Sequence, residues 1–253
     1  MQRKSSFTGL LITALFAVAS GLTKQFYYVD KKLTWQEAQM YCREKYIDLA
    51  FITDQEEAEQ LSNILKFNWI GLAWIGLYRD TNVSTEWKWS GGWNSTFRSW
   101  SKVQLNQPVV NQDCVSVKQG EMAAGLCNQI NVFACFDLNV VLVQENKTWE
   151  EALEHCRENY TDLTSLLSEN EQLQVQRMMN SKGAQTDHVW TGLRFFSGFW
   201  LWVNGDPLEY QAWSGGRLPH CPAQRLRCGT LGREGELWGT RDCEERRNFL
   251  CYE

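Results

Sequence analysis

The stretch TWEEALEHCRENYTDL, residues 148–163, repeats an earlier one, TWQEAQMYCREKYIDL, residues 34–49. Aligned without a gap, the two share Thr, Trp, Glu, Ala, Cys, Arg, Glu, Tyr, Asp and Leu at matching places, so the chain is a tandem repeat. Each copy opens on Thr with Glu three residues later, a capping box that predicts a helix start. Trp35, Ala38 and Cys42, matched by Trp149, Ala152 and Cys156, recur at three and four residues and predict one buried helix face. A cysteine on that face is placed to be tied to a distant part of the chain.

The repetition continues outward from this helix. A second capping box is expected in each copy, Thr53 with Glu56 and Ser168 with Glu171, heading a second amphipathic helix. Trp74 and Trp190 then open WIGL and WTGL, followed by the pairs Trp87/Trp89 and Trp200/Trp202 and by Trp100 and Trp213, each before a Ser. Pro108 and Pro222 follow, then Cys114 and Cys228, Cys127 and Cys243, and Cys135 and Cys251. Matching positions lie roughly 113 to 116 residues apart, so 253 residues divide into two domains of about 115. Short aromatic and β-branched runs such as FYYVD, EWKWS, VFACF, VVLVQ, FWLWV and NFLCY are strand signals. A strand, two helices and then further strands give an α+β class, with two helices on an antiparallel sheet per domain. Irregular stretches near residues 101–113 and 214–227 have the length usually kept for function.

Residues 1–21 combine Arg3 and Lys4, an apolar run over residues 10–18, and small residues at Ala17, Ala19 and Gly21, the pattern of a secretory signal peptide. The alternative is an uncleaved anchor and a type II membrane protein, but the run is short for a span of ~20 residues. The domains are then expected at 22–137 and 138–253. Nine cysteines, eight in two parallel sets of four, read in an exported chain as a disulfide framework. Four cysteines allow 3 pairings in each domain, and spacing alone does not choose among them. Sequons at Asn82, Asn94, Asn146 and Asn159 suit the same compartment and make the chain a candidate glycoprotein. Between Cys135 and the next copy stands only Phe136-Asp137-Leu138-Asn139, with no Gly, Ser or Pro, so the two modules are expected to hold a limited range of orientations.

Together the helix cysteine, the WIGL or WTGL strand, the W-x-W pair, the loop proline and the spacing of the last two cysteines resemble the C-type lectin-like domain, once in each repeat. The resemblance implies disulfides Cys42–Cys135, Cys114–Cys127, Cys156–Cys251 and Cys228–Cys243, leaving Cys221 unpaired. Each outer bridge would contribute on the order of 4 kcal/mol under the chain-entropy model. It also implies a non-enzymatic recognition role, secreted or at the cell surface. The sequence holds no G-x-S-x-G or H-E-x-x-H motif to argue otherwise.

Sugar-binding relatives hold calcium in the long loop through an E-P-N or Q-P-D tripeptide, a following Glu and a W-N-D tripeptide, because a hard cation needs six to eight oxygens. Here the first repeat has Gln107-Pro108-Val109, Gln112 and Met122-Ala123-Ala124 at those places. Gln107 is the one acceptor of the tripeptide that survives. The second repeat has Cys221-Pro222-Ala223, Leu226 and Trp238-Gly239-Thr240. The expectation is no cofactor, with calcium-dependent carbohydrate binding as the alternative function. In place of the ion, Arg217, Arg225, Arg227 and Arg233, with His220 among them, form a basic segment in a chain of formal charge −5. Such a segment attracts an extracellular acidic protein face or an anionic glycan. It is too short, and in the wrong compartment, for nucleic acid. Cys221, the odd thiol, points to a disulfide-linked dimer or a capped cysteine.

Overall fold

The structure is a computed structural model that describes residues 21–68, 71–79, 86–101, 112–220, 222–233 and 235–253. The first half contains β1 (Lys24–Leu33), α1 (Trp35–Lys45), β2 (Asp48–Leu49), α2 (Gln55–Asn68), β3 (Ala73–Arg79), β4 (Trp87–Trp89), β5 (Cys114–Lys118), β6 (Glu121–Gly125) and β7 (Asn131–Leu138). The second runs β8 (Val140–Lys147), α3 (Trp149–Asn159), α4 (Glu169–Ser181), β9 (His188–Phe196), β10 (Phe199–Trp202), β11 (Cys228–Gly232), β12 (Trp238–Arg241) and β13 (Arg247–Tyr252).

The repeated stretch forms the same helix twice. Thr34 and Thr148 each accept the N–H of the Glu three residues on, and that Glu reaches back to the cap's own N–H. The second pair of caps is more instructive. In α2 it is Asp54, not Thr53, that accepts the Glu57 N–H (3.0 Å), while the Glu57 carboxylate takes the Thr53 N–H (2.7 Å). The expected box is therefore shifted by one residue, since Asp is the stronger cap. In α4, Ser168 accepts from Glu171 N, and the Glu171 carboxylate takes the Leu167 N–H instead of that of Ser168.

Each half builds one mixed sheet, in the order β1-β7-β3-β5-β6 in the first and β12-β11-β9-β13-β8 in the second. Among the described strands, pairing between strands is antiparallel save where the last strand meets the WIGL or WTGL strand, β7 on β3 and β13 on β9, which run parallel. Matching indoles seal matching places. Trp35 and Trp149 donate to the Ile75 and Thr191 carbonyls, and Trp74 and Trp190 to the Leu33 and Lys147 carbonyls. Trp74 and Trp190 are fully buried, so truncating either to Ala should cost about 3–5 kcal/mol. Cys42 is bonded to Cys135, Cys114 to Cys127, Cys156 to Cys251 and Cys228 to Cys243, so each outer bridge joins the first helix to the last strand.

Only Asn139 lies between β7 and β8, and it is held on both sides. Its side-chain oxygen accepts the Thr23 N–H (2.7 Å), its N–H donates to the Thr23 carbonyl (3.1 Å), and its carbonyl accepts the Glu253 N–H (3.0 Å). One apolar cluster runs through both halves, from Phe51, Trp93 and Phe136 to Val175, Met178 and Met179 of α4. The orientation of the halves is thus set by packing as well as by the short junction.

Candidate functional site

The described residues of the long irregular stretch of the second half, 203–220 and 222–227, are anchored by aromatic side chains and backbone hydrogen bonds. Trp213 forms an isolated bridge with Trp238; the Ser214 N–H donates to the Trp238 carbonyl (2.9 Å), and the Trp238 N–H donates to that of Ala212 (2.7 Å). The Trp200 indole donates to the Pro219 carbonyl (3.0 Å) and lies 4.9 Å from the Trp213 ring. Further along, Cys243 donates to the Arg225 carbonyl and Phe195 to that of Arg227, so sheet and inner disulfide pin the basic segment from below. The W-x-W pair and the later Trp residues therefore serve as the loop's floor.

Beneath the loop lies a buried polar knot that sequence reasoning missed. The Asp206 carboxylate, 8 % exposed, accepts the hydroxyl of Ser165 and an N–H of Asn204, and Ser165 also meets the Tyr252 hydroxyl at 2.7 Å. Burial pushes the Tyr252 phenol far above its usual range, helped by the nearby Asp206 and Glu171 charges. The partners come from elements up to 87 residues apart, which hides them from motif reading.

Arg217 and Arg225 are exposed and Arg227 is half-buried, its guanidinium 5.9 Å from the Phe195 ring centre. None of the three is ion-paired to a described residue. Arg233 departs from the expected cluster. It donates to the Ala184 carbonyl (2.8 Å) and faces Asn180, both belonging to the α4 side of the domain, so adjacency in sequence does not bring it to the loop face. His220 is exposed. Cys221, Asn82, Gln107 and the rest of the first domain's tripeptide lie outside the described residues, as do residues 1–20. Asn94, Asn146 and Asn159 are all exposed.

Among the described residues, the positions that match the calcium-holding set offer few side-chain oxygens, Gln112 in the first domain and Thr240 in the second. In the second domain Ala223 and Leu226 offer hydrocarbon, and Trp238 is 1 % exposed with its ring in the core. The Gly239 carbonyl already accepts the Thr230 hydroxyl, leaving Thr240 as the one side-chain oxygen. In the first, Met122 is fully buried, Ala123 and Ala124 carry methyls, and the Asp113 carboxylate is engaged by Arg79 at 3.0 Å. Among the described residues no three His, Cys, Asp or Glu side chains gather as a metal would require. No helix among them is long and apolar enough to cross a membrane.

A second feature joins the halves. Asp48, fully buried in β2, accepts from Arg43 Nε (3.0 Å), Ser90 Oγ (2.8 Å) and its neighbour's N–H, and from Arg177 Nη1 on α4 of the other half at 2.5 Å. Burial pushes the Asp48 carboxyl above the usual range, only partly offset by Arg43, Ser90, the Leu49 N–H and Arg177. Asn94 and Asn170 exchange two further hydrogen bonds across the same boundary, of 3.0 and 2.8 Å.

The match to a family model agrees with this architecture. The Lectin C-type domain family matches residues 31–136 and again 145–253. The human secretory phospholipase A2 receptor is 25 % identical over 262 residues, an alignment spanning 88 % of this chain and 17 % of the receptor. The snake protein C-type lectin lectoxin-Enh5 of Pseudoferania polylepis is 36 % identical over 92 residues, 35 % of this chain and 57 % of that protein. Among solved structures, human lithostathine superimposes with a TM-score of 0.42 at 23 % identity, covering 45 % of this chain and 91 % of its own. The chain spans about a sixth of the receptor it matches. With two family matches covering most of its length and the matching fold and disulfides beneath them, the chain belongs to the C-type lectin domain family as a non-enzymatic, lectin-like binding protein with two such domains in tandem.

Proposed function

We propose that this protein is an extracellular recognition molecule that binds an anionic glycan or an acidic protein face, without calcium, through the long loop of its second domain. The observation that carries the reading is a substitution of chemistry on a preserved frame. The described residues of the loop are anchored to the sheet at Trp213, Pro219, Arg225 and Arg227, yet at the ion's matched positions they present Ala223 and Leu226, beside Arg217, Arg225 and Arg227 with no carboxylate partner among the described residues. Unneutralised guanidiniums on a fixed surface favour sulfate, carboxylate or phosphate groups. Export through a cleaved leader at residues 1–21, N-glycosylation at the four sequons and dimerisation through Cys221 belong to the same reading, which the disulfide-rich domains support.

The test is a glycan array run with and without chelator, on the wild-type chain, on R225A/R227A and on C221S. Sulfated or sialylated glycans should bind equally in both conditions, and R225A/R227A should lose that binding. Unchanged binding by the double variant sinks the anionic reading. Retention that needs calcium sinks the calcium-independent one. A thermal melt gives a second check, because calcium at 100 times its dissociation constant would stabilise the fold by about 2.7 kcal/mol; no shift between calcium and chelator is expected.

A further inference from the structure

Between the two domains lies an open cleft of about 540 Å³, within the ~300–1,000 Å³ range of small-molecule sites, which favour domain boundaries. One wall is α4, presenting Leu173, Gln176, Arg177 and Asn180; the other is the first domain, with Arg43 and the turn at Gly91 and Trp93. Both guanidiniums reach solvent, with side-chain exposures of 39 % for Arg43 and 32 % for Arg177. They share one carboxylate, Asp48, which sits behind them with no exposed surface, and no acid lines the cleft among the described residues. The cleft therefore carries about one net positive charge.

The donors left over point the same way. Arg177 spends Nη1 on Asp48, and its Nε and Nη2 make no hydrogen bond to a described residue. Arg43 spends Nε on Asp48 and Nη2 on Ser90, leaving Nη1. Gln176 donates its amide to the Gly232 and Glu236 carbonyls (2.9 and 2.6 Å), while its buried Oε1 accepts from nothing described. The Asn180 amide N–H groups donate to no described acceptor. Leu173, 37 % exposed, offers an apolar edge. A group with an oxyanion at one end and hydroxyls around an otherwise apolar ring would meet the arginines, Asn180 and Leu173, while the buried Gln176 oxygen stays out of its reach.

We propose that this cleft is a second binding site, distinct from the long loop, for a sulfate- or carboxylate-bearing saccharide of mono- or disaccharide size. The oxyanion sits between Arg43 and Arg177, and ring hydroxyls meet the Asn180 amide. Because both domains contribute, occupancy also fixes their relative orientation.

The experiment is calorimetric titration of the full chain with a sulfated uronate-containing disaccharide, with its desulfated counterpart and with a neutral disaccharide. It is run on wild type, R225A/R227A, L173E and R43Q. L173E places a carboxylate at the cleft's mouth without touching the Asp48 cluster, and R43Q removes one guanidinium while leaving Arg177 on Asp48. Thermal melts establish that each variant is folded. Binding should persist in R225A/R227A and weaken by roughly tenfold or more in L173E and in R43Q, the scale of one lost charge-assisted contact. Retention of affinity by the desulfated uronate assigns a carboxylate ligand, and its loss assigns a sulfate. Equal binding of the neutral sugar overturns the proposal, as does full affinity in both cleft variants. Loss of all binding in R225A/R227A overturns it too while leaving the loop reading intact, so the two sites fail separately.

Discussion

Asp48 and Asp162 occupy the same place in the two repeats, each five residues after an Arg on the first helix. In the second domain the Arg157–Asp162 pair is left to itself, with side chains 49 % and 15 % exposed. In the first, Asp48 is fully buried and shared between its own Arg43, Ser90 and the Arg177 of the neighbouring domain. The residue matching Ser90 is Val203, which offers no hydroxyl, and the one matching Arg177 is Asn63. One inherited ion pair has thus stayed a surface feature in one copy and become the clasp between domains in the other. Burial changes its worth, since an exposed pair contributes little and a buried one is costly to break.

The sharpest way to break the comparison is to neutralise both aspartates separately. D48N should lower the stability of the chain by about 1.5–3 kcal/mol in urea unfolding, because Asp48 loses its charge-assisted hydrogen bonds while the two guanidiniums, partly exposed, stay hydrated. D162N should cost under ~1 kcal/mol. Equal effects would mean that the interdomain contact adds nothing.

A second matched pair sharpens the point. Glu57 and Glu171 are the third residues of α2 and α4. Glu57 is ion-paired to Lys24 at 2.7 Å, whereas the residue matching Lys24 in the second domain is Leu138. Without an ammonium of its own, Glu171 is pushed up to about 7, first by burial and then by Asp206, against the Leu167 N–H and the more distant Lys24. For a carboxyl raised in the folded state, the unfolded chain releases its proton first. Stability is therefore greatest below the ordinary value near 4.5 and falls as pH rises toward 7, by up to ~3 kcal/mol. E171Q should flatten that slope in urea titrations between pH 4.5 and 7.5. A slope unchanged by E171Q would assign it to another group.

The smallest expected effect is the control. Thr34 and Thr148 make the same cap in both copies, so T34A and T148A should each cost about 1 kcal/mol, and by amounts that agree. A marked inequality would show that domain context reaches even the exposed first turn.

Much of this was legible in the sequence because the repeat acts as its own alignment. The two first helices, their caps and the buried Trp and Cys faces follow from local periodicity, and the resemblance implied the same four disulfides that the structure contains. Strands β6 and β12 were not legible, for EMAAG and WGTR are poor in β-branched residues and form strands only because β5 and β11 lie beside them. The α2 cap lies one residue beyond the T-x-x-E pattern because that pattern, Thr53 with Glu56, overlaps a D-x-x-E one, Asp54 with Glu57, whose Asp caps more strongly. Arg233 was grouped with the loop cations by adjacency, yet its partners on the α4 side lie about 50 residues earlier in the chain. The Asp48–Arg177 contact, spanning 129 residues and two domains, leaves no trace in periodicity or spacing.

The junction at Asn139 has a mechanical consequence. Its bonds to Thr23 and Glu253 bring the start of β1, the end of β13 and the midpoint of the chain to one place. A load applied across residues 23 and 253 therefore bears first on this knot and bypasses the body of either domain. Beyond it the two ends respond unequally. Fraying from the β13 end is arrested at Cys251 by its tie to Cys156, while the other end can be stripped through β1 and into α1 as far as Cys42. Under tension, then, the first domain would yield before the second, although the two carry the same cross-links.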